Sequence, residues 1–250
     1  MTMLGQLRGG FRGVPTPNFA YSGSELDALS EGRNYYRSLV ESFRPWIGKQ
    51  VVEVGAGIGT FAQHLLSIET VESLVALEPG KNTFPLLRQR LEGNSRAEPI
   101  RAYLHQIPAL DADSVVAVNV MEHVENDLDF LQHAHRVTHA DGKLLLYVPA
   151  LPAIYGSLDV ALEHHRRYTR KTLRKVMEEA GWFVEKISYV NLPGVLAWYV
   201  AGRILRKTSI SGAEVGIYDR FVIPLTSRLE KIWSPPIGQS LIAIGSKSLR

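Results

Sequence analysis

A chain of 250 residues with 45 % apolar side chains has material for a sizeable core, and suits one α/β domain with an appendage or two small domains. It contains no cysteine, which excludes disulfide frameworks, thiol nucleophiles and the usual zinc sites. The net charge of +3 is unevenly spread: residues 1–162 carry 13 Lys/Arg against 18 Asp/Glu, residues 163–250 carry 15 against 7, so the last part either meets something anionic or presents a solvated basic surface.

The opening segment, MTMLGQLRGGFRG, has arginines but no apolar run of signal-peptide length. Residues 1–24 read as a flexible leader and the protein as cytoplasmic. Helical spacing then predicts a helix over Glu25–Phe43, with Tyr36, Leu39, Val40 and Phe43 on one face. Short apolar runs alternate with helical stretches from there on. Strands are expected at Val51–Val54, Leu74–Leu77, Ile100–Leu104, Val115–Val118 and 142–149. The helices between and after them are expected at Thr60–Ser67, Phe84–Leu91, Leu128–Thr138 and Leu173–Ala180, the last ended by Gly181. Residues 183–190 read as a further strand, and 239–247 as a final one, at an edge or in a hairpin with 183–190. The pattern predicts an α/β, Rossmann-like, doubly wound fold. Its seven-stranded sheet is mostly parallel with helices on both faces, and an N-terminal helix and a C-terminal helical extension are added. Residues 25–190 form the main domain, and 191–250 complete the sheet and shape a pocket or a dimer contact.

The run 187–202 holds sixteen uncharged residues, too short to span a bilayer and interrupted by Pro193. Either it is a buried helix capped by RILRK, or it lies on a membrane surface or over a greasy substrate. Peripheral membrane contact is therefore expected, if anywhere, through 187–210.

The stretch VVEVGAGIGT (51–60) runs from a strand into glycines at 55, 57 and 59. A dinucleotide fingerprint would place its third glycine at 60, where Thr60 stands. Glu53, two residues before the first glycine, would repel a pyrophosphate but suits an ammonium group. Glu78 ends the second strand, where a carboxylate can accept from both hydroxyls of a ribose. Together these residues favour a nucleoside with a cationic end over one with two phosphates.

With VVEVGAGIGTF (51–61), LVALEPG (74–80), VVAVNVMEHVEN (115–126) and DGKLLLYVPA (141–150), the sequence resembles the class I S-adenosylmethionine-dependent methyltransferases, in their small-molecule branch of the type 11/12 kind. The resemblance covers about residues 33–190. It implies that Gly55, Ala56, Gly57 and Gly59 pass against the methionine and ribose of S-adenosylmethionine. Glu53 would hold the amino group, Glu78 the ribose, and Pro79 and Gly80 would lie beside the adenine. Asn119, Val120 and Met121 would line the methionine and sulfonium, with Tyr36 closing over the cofactor. Family members often place an acid after the third strand to meet the adenine amine. Here Tyr103 and Gln106 stand in its region, so adenine contact falls to Gln106 or to the backbone near Leu104.

Methyl transfer to a hydroxyl needs a base, and histidine suits that role near neutral pH. His123, just past the fourth strand, and His164 or His165, after the long loop 150–169, are the catalytic candidates. The bland readings are a loop-ordering hydrogen bond for His123 and helix capping for the pair. Glu122, Tyr155, Arg166, Arg167 and Tyr168 are the candidate acceptor-binding residues, the arginines beside Tyr168 and Arg170 forming a basic group that could clamp a carboxylate or phosphate. Glu122, His123, Glu163, His164 and His165 show no recognised ligand spacing, so no metal is expected. O-methylation of a sugar, lipid or specialised metabolite is the first reading. The alternatives are N-methylation of a small amine, a non-catalytic cofactor-binding partner subunit, and an NAD-dependent reductase. The basic residues form no long stripe, so nucleic acid is not an expected partner. A homodimer is compatible with the sequence.

Overall fold

The computed structural model describes residues 15–21 and 32–247. Helix α1 (Arg33–Phe43) buries Tyr36, Leu39, Val40 and Phe43 on one face, as its spacing predicts. Residues 25–31, the earlier part of the expected helix, lie outside the described residues, as do 1–14 and 22–24 of the expected leader. Strands β1 (Gln50–Val54), β2 (Ser73–Leu77), β3 (Ala97–Ile100), β4 (Ala112–Val118) and β5 (Thr138–Pro149) pair in parallel. Helices α2 (Thr60–Leu66), α3 (Phe84–Leu91) and α4 (Asp127–Val137) connect them. β1 and β2 are buried on both faces, which is why they read as unbroken apolar runs rather than alternating ones.

Beyond β5 come a short helix α5 (Ser157–Ala161), α6 (Arg170–Glu179), β6 (Phe183–Val190), α7 (Leu192–Tyr199) with a π-helical continuation (Val200–Ile204), α8 (Gly212–Phe221), α9 (Ile223–Glu230) and β7 (Ser240–Ser246). The sheet order is β3-β2-β1-β4-β5-β7-β6. One apolar cluster covers each face of the sheet. One is built on α1, α2 and α3, the other on α4, α6 and Trp182. The indole N–H of Trp182 donates to Leu131 O at 3.0 Å, so its one polar atom is satisfied in the core.

Three expectations are corrected. The third strand ends at Ile100 instead of starting there. Leu104–Gln106 form a 3-10 turn, closed by the Gln106 side chain accepting from Tyr103 N at 2.8 Å. β7 is not at an edge: it lies antiparallel between β5 and β6, and β6 is the edge strand. Finally, α7 is no buried helix, because only Gly194 in it is buried, while Leu196 is 68 % exposed.

The C-terminal helices are anchored to the N-terminal one. Gly32 offers α1 no capping side chain. The Asp219 carboxylate of α8 accepts instead from the first-turn N–H groups of Asn34 (3.0 Å) and Tyr35 (2.7 Å), satisfying donors that a helix start otherwise leaves open.

Candidate active site

A crevice lies at the carboxyl ends of β1, β2 and β4, where open parallel sheets bind ligands. Gly55, Gly57 and Gly59 all have positive φ there. At Gly55 the requirement is double: φ is +69°, and a Cβ would stand 2.5 Å from Val120 Cγ2. The hairpin is closed by Ala56 N donating to Leu77 O (2.9 Å) and Gly59 N to Ala56 O (2.8 Å).

Two carboxylates flank it. Glu78 is buried, and its Oε1 accepts from Gly80 N (2.7 Å) and Thr83 Oγ1 (2.8 Å) while its Oε2 accepts from Gly57 N (2.8 Å). Burial raises its pKa, and these three donors oppose the rise. Each carboxylate oxygen can accept about two hydrogen bonds, so Oε2 keeps capacity for a ligand hydroxyl. Glu53, only 3 % exposed, lines the cavity with an Oε2 that has no hydrogen-bond partner among the described residues. Burial, and next the Glu78 charge, push its pKa up to about 8. A buried carboxylate in that state lacks a cation.

The cavity, about 940 Å³, runs from this hairpin past the 3-10 turn Met121–His123 to the loop after β5 and the inner faces of α7 and α8. Tyr36, Ala56, Pro79, Leu104, Asn119 and Val120 line it with the two glutamates. Gly59 sits behind the hairpin as the left-handed residue before α2, and Gly80 donates to Glu78. Met121 is packed in the core and does not reach the cavity. Nor does Gln106, whose amide donates to Pro15 O at 3.0 Å. Tyr103 and Leu104 do reach it.

Sequence reading missed several wall residues. Phe19 and Tyr21 cross the mouth, held by Lys81 N donating to Phe19 O (2.8 Å) and by Tyr21 N donating to Asn82 Oδ1 (2.9 Å). Tyr35 Oη accepts from Asn119 Nδ2 at 3.2 Å, fixing an asparagine whose φ is +51°. Tyr147 is buried behind it, its hydroxyl pushed up to about 12 by burial. The aromatic character of Tyr35 and Tyr147 was visible in the sequence, but their meeting depends on how α1 packs across β5.

At the far wall, Glu122, His123, His164, His165 and Arg167 line the cavity. His123 and His164 meet edge to face, 4.8 Å between ring centroids. Burial, and next the neighbouring His164 and His165, lower the His123 pKa to about 4, so the ring is neutral at pH 7 and can accept a hydrogen bond. Behind them sits Asp159, which is fully buried. Its Oδ1 accepts from Arg167 Nε (2.7 Å) and His164 Nδ1 (2.9 Å), and its Oδ2 from Trp198 Nε1 (3.0 Å) and Gly156 N (3.0 Å). Burial alone would raise its pKa, but the His164 hydrogen bond, Arg167 and the remaining donors outweigh this and hold it below the usual range.

Of the basic group, only Arg167 reaches the cavity, and its charge is tied to Asp159. Arg166 pairs with Asp127 at 3.0 Å, the Tyr168 hydroxyl donates to the same carboxylate at 3.0 Å, and Arg170 stacks on Tyr189. Tyr155 donates to His164 O at 2.6 Å and braces the loop from outside. Glu122, His123 and His164 present ligating atoms within 4.8 Å of one another, and the Asp159 contact leaves Nε2 of His164 as the nitrogen that could meet a metal.

A methyltransferase-domain family model matches residues 29–187, which include the glycine hairpin, both glutamates and the histidine wall. A search of curated proteins gives no match. Among solved structures, the chain is similar to an S-adenosylmethionine-dependent methyltransferase of Mesorhizobium loti, with 12 % identity, 87 % of this chain and 99 % of that one covered, and a TM-score of 0.59. It is also similar to phosphoethanolamine N-methyltransferase 2 of Haemonchus contortus in complex with phosphomonomethylethanolamine and S-adenosylhomocysteine. There the identity is 13 %, the coverage 100 % of this chain and 61 % of that one, and the TM-score 0.62. At such identities the likeness is one of fold.

Proposed function

Because the chain belongs to the methyltransferase-domain family, we propose that its cavity binds a small-molecule acceptor next to S-adenosylmethionine and that the methyl group goes to an acceptor hydroxyl. Transfer of a methyl group from that cofactor is the activity of the family, which leaves the NAD-dependent reductase reading without support. The observation that carries the cofactor assignment in this chain is Glu53, a buried carboxylate lining the cavity beside the glycine hairpin, with one oxygen unpartnered among the described residues.

When bound, S-adenosylmethionine supplies an electrophilic methyl on its sulfonium. This chain's residues do the rest. Glu53 neutralises the ligand's ammonium and is itself relieved by it. Glu78 Oε2 accepts from the ribose. The hairpin without side chains admits the ligand against its backbone, and Val120 closes the space above Gly55. Phe19, Tyr21 and Tyr36 exclude water from the mouth, which strengthens these contacts.

Toward the acceptor, His123 is the hydrogen-bond acceptor that orients the hydroxyl and takes its proton. A neutral imidazole with so low a pKa is a weak base, suited to receive the proton late, as oxygen becomes acidic during bond formation. Asp159, bonded to His164 Nδ1, fixes the orientation of that second ring at the cavity wall.

Calorimetry with S-adenosylhomocysteine and with NADH tests the cofactor, and tight NADH binding with no S-adenosylhomocysteine signal refutes it. For the chemistry, transfer from labelled cofactor into a cell extract should fall about 10²–10⁴-fold in His123→Ala while S-adenosylhomocysteine affinity stays within about three-fold. Undiminished transfer removes the base assignment.

A further inference from the structure

α8 and α9 meet at Val222, whose φ of −89° and ψ of −50° keep the right-handed helical turn, so 212–230 run as one nearly continuous helix. Its inner face, Asp219, Ile223 and Thr226, is buried, and Asp219 is bound to α1. Its outer face carries Ile217, Phe221, Leu225, Leu229 and, just beyond it, Trp233, one every fourth residue. Each of these side chains is between 49 and 66 % exposed. Residues four apart lie on one face of a helix, so this is a continuous apolar stripe rather than scattered surface residues.

The polar residues around the stripe identify what covers it. Arg203, Arg206, Arg220, Arg228 and Lys231 are exposed, and among the described residues none has a carboxylate partner. The three acids of the same region already have partners: Glu214 pairs with Lys207, Asp219 with Asn34 and Tyr35, and Glu230 with Asn191 N. The outward face is therefore apolar and cationic. A second copy meeting it across a two-fold axis would bring these cations against themselves. Anionic lipid headgroups would neutralise them while the stripe enters the acyl boundary. Among the described residues no helix is long and apolar enough to cross a membrane.

We propose that 196–237 is a docking surface for an anionic lipid bilayer, with the helix 212–230 lying in the plane of the interface. The inner faces of α8 and of the π-helical turn wall the active-site cavity through Val215, Tyr218 and Ala201. Docking thus places the cavity about one helix diameter, ~10 Å, from the headgroups.

The 250-residue chain should float with phosphatidylcholine vesicles that contain phosphatidylglycerol, and fail to float with phosphatidylcholine alone or at high salt. Phe221→Ser with Leu225→Ser, both at exposed positions, should weaken flotation about tenfold or more with the melting temperature unchanged, as should Arg220→Glu with Arg228→Glu. S-adenosylhomocysteine affinity in solution should be the same in all variants, so loss of docking stays separate from loss of the cofactor site. A wild-type chain that ignores anionic vesicles overturns the proposal. So does a dimer by light scattering that the Phe221 and Leu225 substitutions dissociate, since the stripe would then belong to a second copy.

Discussion

Glu53 makes two opposite predictions from one pKa. Its value in the fold, about 8, lies above the ordinary 4.5, so the folded chain holds a proton that the unfolded chain releases. Its contribution to stability is therefore greatest below pH 4.5 and is lost as pH rises toward 8. Ligand binding reverses the sign, because an ammonium favours the ionised form. S-adenosylhomocysteine affinity should rise about tenfold from pH 6 to pH 7, with about one proton released, and Glu53→Gln should flatten that dependence. Titrations in buffers of different ionisation enthalpy read both quantities, and a flat wild-type profile refutes the assignment. Asp159 is the other residue with a sharp expectation. Removing it leaves Arg167, 1 % exposed at its side chain, without its ion-pair partner. Asp159→Ala should cost about 3–5 kcal/mol in urea unfolding. Nothing in the local pattern of the sequence points to this residue. Its partners His164, Arg167 and Trp198 are 5, 8 and 39 positions away and meet only after the loop folds back on α7. Arg167 likewise reads from the sequence as part of a clamp for an anionic acceptor, because a sequence does not show which arginine is buried beside an acid.

Among the elements, the first hairpin shows what a sequence can carry. Gly55, Glu53 and Glu78 stand at fixed offsets from two strand ends, and strands buried on both faces announce themselves as apolar runs, so the site's position follows from local pattern alone. Gly55→Ala should lower stability by about 1–3 kcal/mol and weaken S-adenosylhomocysteine binding, because both the positive φ and the Val120 contact oppose a Cβ. Adding Val120→Ala should relieve the contact but not the backbone strain, restoring part of the melting temperature. Full restoration would mean that the φ requirement is not real. α7 shows the reverse. An uncharged run fits a buried helix and an exposed apolar one equally well, and only the packing of Asp219 against α1 decides which face of the extension turns outward. Likewise, β3 contains Pro99 and borders a turn closed by Gln106, so its apolar content did not mark where the strand ends.

In the whole molecule, the matched family region ends at residue 187, yet the sheet does not. β7 fills the gap between β5 and β6, pairing with seven residues of each. Deleting residues 239–247 should therefore abolish cooperative unfolding and expose hydrophobic surface, read by dye binding and by circular dichroism, whereas a mere trailing appendage would leave the melting curve intact. The sequence did show that 239–247 is a strand, and pairing with 183–190 is one of the two placements it allowed. It did not show the insertion, because strand order is settled by which long-range partner closes the sheet, and no local periodicity encodes that choice.

The same insertion has a consequence for how the protein is made. During synthesis β5 and β6 are finished about fifty residues before β7 leaves the ribosome, and at about 5–20 residues per second that is an interval of seconds. Throughout it, two unpaired sheet margins flank an empty slot that any extended chain could enter. The nascent chain is most open to capture by chaperones, or by a neighbouring copy's own last strand, in that window, and translation speed over the final segment becomes a determinant of yield.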